Sequence, residues 1–242
     1  MKIFLLLFVP LALWGQAPTP KTTLDGLYSA AQAERGKAAY ASSCAACHSA
    51  DLTGFSAPPL KGAIFLDRWR EFPGSVLYEL MRTSMPKDAS TPLPESAYLD
   101  IFSHLLRENE LPAGAVDLKV DLLSKTLLVG KDGPQPLPSS AQVGVIGCLK
   151  LEVGTAWFLT QSAEPFRAVD GFEISAAELA DAKTAPFGAA LFRLQGITDL
   201  PNVDLKKLDQ SKVEIKGILV RQAKGDRINV TVVKQASSGC EE

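Results

Sequence analysis

The hydrophobic period changes partway along the chain. In the first half, apolar positions recur every three to four residues. A helix is expected to start at Ser29, where Ser29-Ala30-Ala31-Gln32 has the form of a capping box. In such a box the serine hydroxyl and the glutamine amide each satisfy an orphan backbone N–H. Residues 30–42 are rich in alanine and favour helix, with Gly36 and Tyr40 four apart on one face. A glycine inside a helix costs roughly 1 kcal/mol against alanine, so Gly36 needs a reason, and close approach of another helix is one. A short helix is expected over 75–83, with Val76, Leu80 and Thr83 on one face. A third should open at Pro94-Glu95, because proline suits the first helical position and glutamate the positive end of the dipole. Tyr98, Ile101, Phe102, Leu105 and Leu106 then recur with helical spacing to Arg107. Tyr98, Ile101 and Leu105 form a stripe that can pack across the Gly36–Tyr40 face.

From Gln142 the period is two. Val143, Val145, Gly147, Leu149 and Leu151 alternate, as do Val213, Ile215, Gly217 and Leu219, and Ile228, Val230 and Val232. Residues 156–161 and 189–196 read as shorter strands, and 205–208 as a helical turn. Ser175-Ala-Ala-Glu178 is a second capping box, so a helix interrupts the strands. Gly147 and Gly217 lie inside strand patterns, as expected at bulges. About five strands with a helix between them suit a small closed barrel of the OB-fold type, with a sandwich as the rival. The fold class is therefore two-part: an all-α domain followed by a small, mostly-β, OB-like barrel domain. The expected divisions are a leader at 1–15, a linker at 16–27, a helical domain at 28–115, a Pro/Gly-rich linker at 116–140, a β domain at 141–236 and a tail at 237–242.

The leader reading rests on Met1-Lys2, an apolar run through Trp14, and Gly15-Gln16-Ala17, which together resemble a secretory signal. The run is short for a bilayer and Pro10 interrupts it, so no stable membrane span is expected after cleavage; an uncleaved anchor is the alternative. Export places the protein in a periplasm or another external compartment, where disulfides persist. Charge narrows the partners. The net charge is −2, and residues 141–242 hold 12 Lys+Arg against 13 Asp+Glu. A groove that tracks phosphates wants a basic excess, so nucleic acid is not an expected partner.

The chemistry concentrates in Cys44-Ala45-Ala46-Cys47-His48. This is the C-x-x-C-H pattern for covalent attachment of one haem c, with thioethers from Cys44 and Cys47 and His48 as the proximal iron ligand. The competing readings are a redox dithiol, which would need a βαβ context, and half a zinc site, which would need more nearby ligands. A carbonyl near Pro58 or Pro59 can accept the His48 Nδ1–H and orient the ring. Pro59, Leu60 and Trp69 are candidates for packing against the haem, with Phe65 beside them; Arg68 and Arg70 are candidate propionate partners or ordinary surface groups. Met85 is the expected sixth ligand, because it stands outside the helix pattern and Pro86 stiffens the chain after it. Met81, inside the helix, reads as core filler. His104 reads as a packing or surface histidine rather than a ligand.

Residues 28–112 resemble a class I c-type cytochrome domain, through Gly36…Tyr40…Cys44-x-x-Cys47-His48, Pro58-Pro59-Leu60-x-Gly62, Met85-Pro86, the 98–106 helix and Asn109…Leu111-Pro112. The resemblance implies an all-helical fold, His48/Met85 axial ligation, a contact between first and last helices through Gly36 and Tyr40, and single-electron transfer between redox partner proteins, with a periplasmic dehydrogenase as one candidate. His104 departs from it, since many relatives carry an aromatic there. Carboxylates are scattered with no acid–base pair at defined spacing, so electron transfer rather than catalysis is expected. The alternatives are a haem sensor or enzyme with a labile Met85, and a protein whose β-barrel binds a ligand or partner while the cytochrome serves it. Cys148 and Cys240 are left over, and in an exported chain they most simply form a disulfide.

Overall fold

The structure is a computed structural model and describes residues 21–87, 92–152, 154 and 156–240. The expected leader, 1–15, and the start of the 16–27 linker lie outside the described residues. The elements in chain order are β1 (Lys21–Thr22), α1 (Ala30–Ser43), α2 (Ala45–His48), α3 (Ala63–Trp69), α4 (Gly74–Ser84), α5 (Glu95–Glu108), α6 (Val120–Leu123), β2 (Thr126–Leu127), β3 (Gln142–Leu151), β4 (Trp157–Ser162), β5 (Phe166–Arg167), α7 (Ala176–Thr184), β6 (Ala190–Gln195), α8 (Leu205–Leu208), β7 (Lys212–Val220) and β8 (Arg227–Ser237). The chain is thus helical first and β-rich after. Among the described residues no helix is long and apolar enough to cross a membrane.

The helical core is built where α1 crosses α5. Ala33, Tyr40, Tyr98, Ile101, Phe102, Leu105 and Leu106 are all buried there. Gly36 lies at the crossing: a Cβ on it would sit 1.8 Å from the Asp100 carbonyl oxygen. The glycine is therefore the point of closest approach, as its place in the helix pattern suggests. Arg35 donates from Nε and an Nη to the two Asp100 oxygens and also reaches Asp117. The buried face of α4 is Gly74, Leu77, Tyr78 and Met81. The expected Val76–Leu80–Thr83 face is instead the outer one, with Leu80 and Thr83 exposed. The choice went wrong because both stripes have helical spacing and only the neighbours decide between them.

The first capping box is half formed. Ser29 Oγ accepts from Gln32 N at 3.0 Å. The Gln32 amide does not return to Ser29. It forms a reciprocal pair with the Leu118 backbone, donating to its carbonyl at 3.3 Å and accepting from its N–H. This corrects the expected linker at 116–140. Leu118, Leu123 and Leu128 are buried in the helical core. β2 pairs in parallel with β1, and Thr23 exchanges hydrogen bonds with Val129. The stretch is irregular because it is draped over a core rather than wound into an element of its own. At its other end Leu137 is buried in the second core.

In the β-rich part, β3 pairs antiparallel with β4, β4 with β6, β7 with β3 and β7 with β8, while β6 and β8 run parallel. Each of these five strands therefore has two neighbours, and β5 lies along the start of β3. Val143, Val145, Leu149, Leu159, Val213, Ile215, Leu219 and Ile228 fill the interior, following the period-two reading. Gly217 sits at a register shift between β7 and β8, and a Cβ there would meet the Asn229 carbonyl oxygen at 2.2 Å. Gly147 faces the stretch of β4 whose pairing with β6 shifts register. Of the aromatics here, Trp157 and Phe192 are core, while Phe166 and Phe172 are exposed.

Cys148 and Cys240 form a disulfide. The bond does not join neighbouring strands. β7 lies between them: Cys148 pairs with Lys212, and Lys212 with Ser237. The chain leaves β8 at Ser237 and turns back over the end of β7 to reach Cys148.

Candidate functional site

The C-x-x-C-H stretch is the end of α1 and the one turn that follows. Cys44 N–H donates to Tyr40 O and His48 N–H to Cys44 O, so the two helices meet at Cys44 with little slack. The loop after His48 then folds back on that turn. Gly54 N–H donates to His48 O, Ala57 N–H to Cys47 O and Leu60 N–H to Leu52 O. Ser49, Leu52 and Gly54 all have positive φ. At Gly54 a side chain would also meet the Ala57 oxygen at 2.8 Å, so glycine is required on both counts. This folding brings Pro58 O to 2.7 Å from His48 Nδ1. A carbonyl can only accept, so Nδ1 carries the proton and Nε2 keeps its lone pair. His48 is otherwise buried.

Asn109, at the end of α5, holds the far side of the loop. Its Nδ2 donates to Leu60 O at 3.0 Å and to Leu105 O, and its Oδ1 accepts from Gly62 N–H. Its three-way role was invisible in the sequence, where an Asn after a helix reads as an ordinary cap; the signal was its recurrence beside Leu111-Pro112 in the resemblance. Pro59 and Leu60 are half-buried in this loop, and Leu60 packs on the helical core. Phe65 and Trp69 are four apart on α3 and belong to that core. Arg68 lies 5.2 Å from the Trp69 ring centroid. Arg70 is bound to both oxygens of Asp132, so its guanidinium is already committed.

The thiol chemistry separates the readings of the motif. Cys44 and Cys47 are free thiols. Burial, and next the neighbouring Cys47, push the Cys44 thiol up to about 11. A redox dithiol needs the opposite, a thiol lowered toward neutrality. Among the described residues no three His, Cys, Asp or Glu side chains come together as a metal site, which removes the zinc reading. His104 is buried, its ring 5.3 Å from that of Tyr40. Its Nδ1 is 3.1 Å from an Arg107 Nη, and burial holds its pKa low. It is a packing residue of the α1–α5 crossing.

Met85 follows α4 and caps it, its N–H donating to Met81 O at 3.0 Å. Met81 is buried in the helical core, whereas Met85 is half-buried and lines a hollow of about 160 Å³ with Arg82, Ser84, Pro86, Pro92 and Tyr98. Tyr98 Oη donates to Met85 O at 2.6 Å and accepts from Leu93 N–H at 3.2 Å. One hydroxyl thus holds both the Met85 carbonyl and the Leu93 N–H. The sequence showed Tyr98 only as a member of an apolar stripe. Tyr78, on the inner face of α4, is buried with a hydroxyl that has no partner among the described residues. The donor set is therefore two free thiols a turn apart, an imidazole oriented through Nδ1, a thioether outside its helix and a buried hydroxyl without a partner among the described residues. These residues fit a covalently held haem.

The comparisons agree with that fit. Residues 33–84 match the family model described as Cytochrome c, which runs from α1 to the last residue of α4 and includes Cys44, Cys47 and His48. No curated protein and no solved structure matches the chain.

Proposed function

We propose, from the cytochrome c domain at residues 33–84, that this protein is an exported carrier with one covalently bound haem c, moving single electrons between redox partner proteins. The observation that carries the reading is the His48–Pro58 hydrogen bond, which presents Nε2 as a ligand. Cys44 and Cys47 would hold the haem as thioethers, and His48 Nε2 and Met85 Sδ would be the axial ligands. When bound, the haem supplies a one-electron iron couple, and a thioether ligand raises its potential. The chain's own residues do the rest. Pro58 fixes the ring and raises its basicity. Asn109 ties the proximal loop to α5, and Tyr98 holds the Met85 turn. Pro59, Leu60 and Trp69 would exclude water from the ring. The ring of pairings from β3 through β4, β6, β8 and β7, with its parallel β6–β8 pair, supports an OB-like barrel that serves docking or tethering. The apolar leader and the Cys148–Cys240 disulfide support a periplasmic location, with a periplasmic dehydrogenase as a candidate electron donor.

Absorption spectra of the purified protein test this. A low-spin ferric spectrum with the far-red band of methionine ligation is expected, and Met85→Ala should lose that band while keeping the covalent haem. A high-spin ferric spectrum in the native protein would overturn the carrier reading. Tyr98→Phe removes one strong hydrogen bond and one weaker one without removing the ring. It should leave haem content unchanged and raise the affinity for added cyanide roughly fivefold to tenfold, the equivalent of one hydrogen bond of about 1 kcal/mol. Unchanged cyanide affinity would show that the Met85 turn is held by other contacts.

A further inference from the structure

The outer face of β7 carries Lys212, Glu214 and Lys216, all buried. α7 covers this face, yet the layer between helix and strands is polar. Only Ala182 of α7 is buried. Lysines from the sheet bind the helix at both ends: Lys216 Nζ donates to Glu173 O, Lys234 Nζ to Ile174 O, and Lys212 Nζ to Lys183 O and Ala185 O. Lys216 also pairs with Glu178 at 2.7 Å, and the other Glu178 oxygen accepts from Ser175 N–H. Glu178 is thereby satisfied.

Glu214 is not. It is 1% exposed, and neither carboxylate oxygen has a hydrogen-bond partner among the described residues. It lines a cleft of about 190 Å³ together with Ile146, Phe166, Glu178, Asp181 and Ala185. A buried carboxylate without a partner is costly, so one that persists beside an open cleft points to a ligand that completes it. The composition of the cleft selects the ligand. Lys216 is matched to Glu178, and Lys212 and Lys234 donate to backbone carbonyls of the helix layer, yet no group among the described residues donates to Glu214. A carboxylate only accepts, so the cleft calls for a donor and not an anion. The carboxylates do not converge as a metal site, so a bare divalent cation is disfavoured. Half of the lining is apolar, from Ile146, Phe166 and Ala185. The volume is of the order that holds one small organic molecule, since a cavity of about 150 Å³ takes benzene.

We propose that the cleft between α7 and the outer face of β3 and β7 is a binding site for a small primary ammonium with a short apolar chain. Its nitrogen pairs with Glu214, with Asp181 contributing at the rim, and its carbon chain lies against Phe166 and Ile146. The electrostatics act in the same direction. Burial, and then Glu178, push the Glu214 carboxyl up to about 7, with Asp181 adding to this and Lys216 and Lys234 opposing it. Because the folded form holds a proton that the unfolded chain releases in the usual glutamate range, Glu214 destabilises the fold increasingly as the pH rises to about 7. A bound ammonium would relieve this at alkaline pH.

The full-length, disulfide-intact protein is titrated calorimetrically at pH 8 with n-butylammonium chloride, with n-butanol and calcium chloride as separate titrants at matched ionic strength. Saturable binding of n-butylammonium is expected, with none by n-butanol. Glu214→Gln should weaken it roughly tenfold to a hundredfold, as for loss of a charge-assisted hydrogen bond, while raising the melting temperature at pH 8. Phe166→Leu, which keeps Glu214, should weaken it about threefold. No saturable binding, equal binding by Glu214→Gln or by n-butanol, or preference for calcium would overturn the proposal.

Discussion

Gly36→Ala will destabilise the helical part by about 2 kcal/mol or more, seen as a lower denaturant midpoint by far-ultraviolet circular dichroism. Two effects oppose each other. Alanine favours the helix over glycine by about 1 kcal/mol, through lower unfolded-state entropy and less exposed backbone. Against this, the new methyl would lie 1.8 Å from the Asp100 carbonyl oxygen and 2.4 Å from its carbon. These are backbone atoms of α5, so no rotamer change removes the overlap. The helices must separate, and overpacking of that kind costs about 3 kcal/mol, at the upper end of its usual range. The separation also pulls Asp100 away from Arg35, which it now holds with two bonds near 3 Å. His104 shares the same contact, its Cβ 3.0 Å from the added methyl, so the Tyr40–His104 ring packing would shift too. A midpoint equal to or above the native one would show that α1 and α5 can slide apart freely.

The second large effect belongs to the β-rich part. Cys148→Ala with Cys240→Ala will lower its unfolding free energy by about 4–5 kcal/mol. The two cysteines are 92 residues apart in sequence, and the chain-entropy model gives about 4–5 kcal/mol for a closed loop of that size. Nearly the whole β-rich part lies within the loop, so its unfolded ensemble is the state most constrained by the bond. The cysteine at 148 is buried in β3, and alanine there leaves no unpaired polar group. The readout is the unfolding midpoint followed by tryptophan fluorescence, since Trp157 sits in the second core. If the haem is held as proposed, its far-red band, which reports on the helical part, should not move. A change under about 1 kcal/mol would mean the reduced chain keeps its tail in place through the β7–β8 ladder alone.

How far the sequence revealed this molecule depended on which signals were local. Period-two alternation gave β3, β7 and β8, because the alternate apolar residues of each line a single interior. The Ser175–Glu178 box formed in full, since both of its hydrogen bonds close within four residues. The Ser29–Gln32 box formed only in part, because a distant backbone at Leu118 competed for the glutamine. α3 was missed: its seven residues sit among turn-forming neighbours, and only Phe65 and Trp69 mark its buried face. β1, β2 and β5 are two residues each and exist only through their partners. The site divided in the same way. Cys44, Cys47 and His48 were singled out by their spacing, and the hydrogen bond from His48 to the Pro58 region followed from the loop's prolines and glycines. The roles of Asn109 and Tyr98 were not legible, since each depends on a partner brought near by the fold. Glu214 read as one more polar position in a strand; only the helix laid over it makes it unusual.

The segment that drapes over the helical core also sets how the two halves can communicate. Leu128 is the last residue of the helical core and Leu137 the first of the strand core. Nine peptide steps, fully extended, reach about 31 Å. The span is further shortened where Arg70 holds Asp132 and Glu71 accepts from the Gln135 N–H, and Arg167 stacks over the Phe72 ring across the join. The segment is thus a short leash, and a protein docked on one half is confined to the neighbourhood of the other.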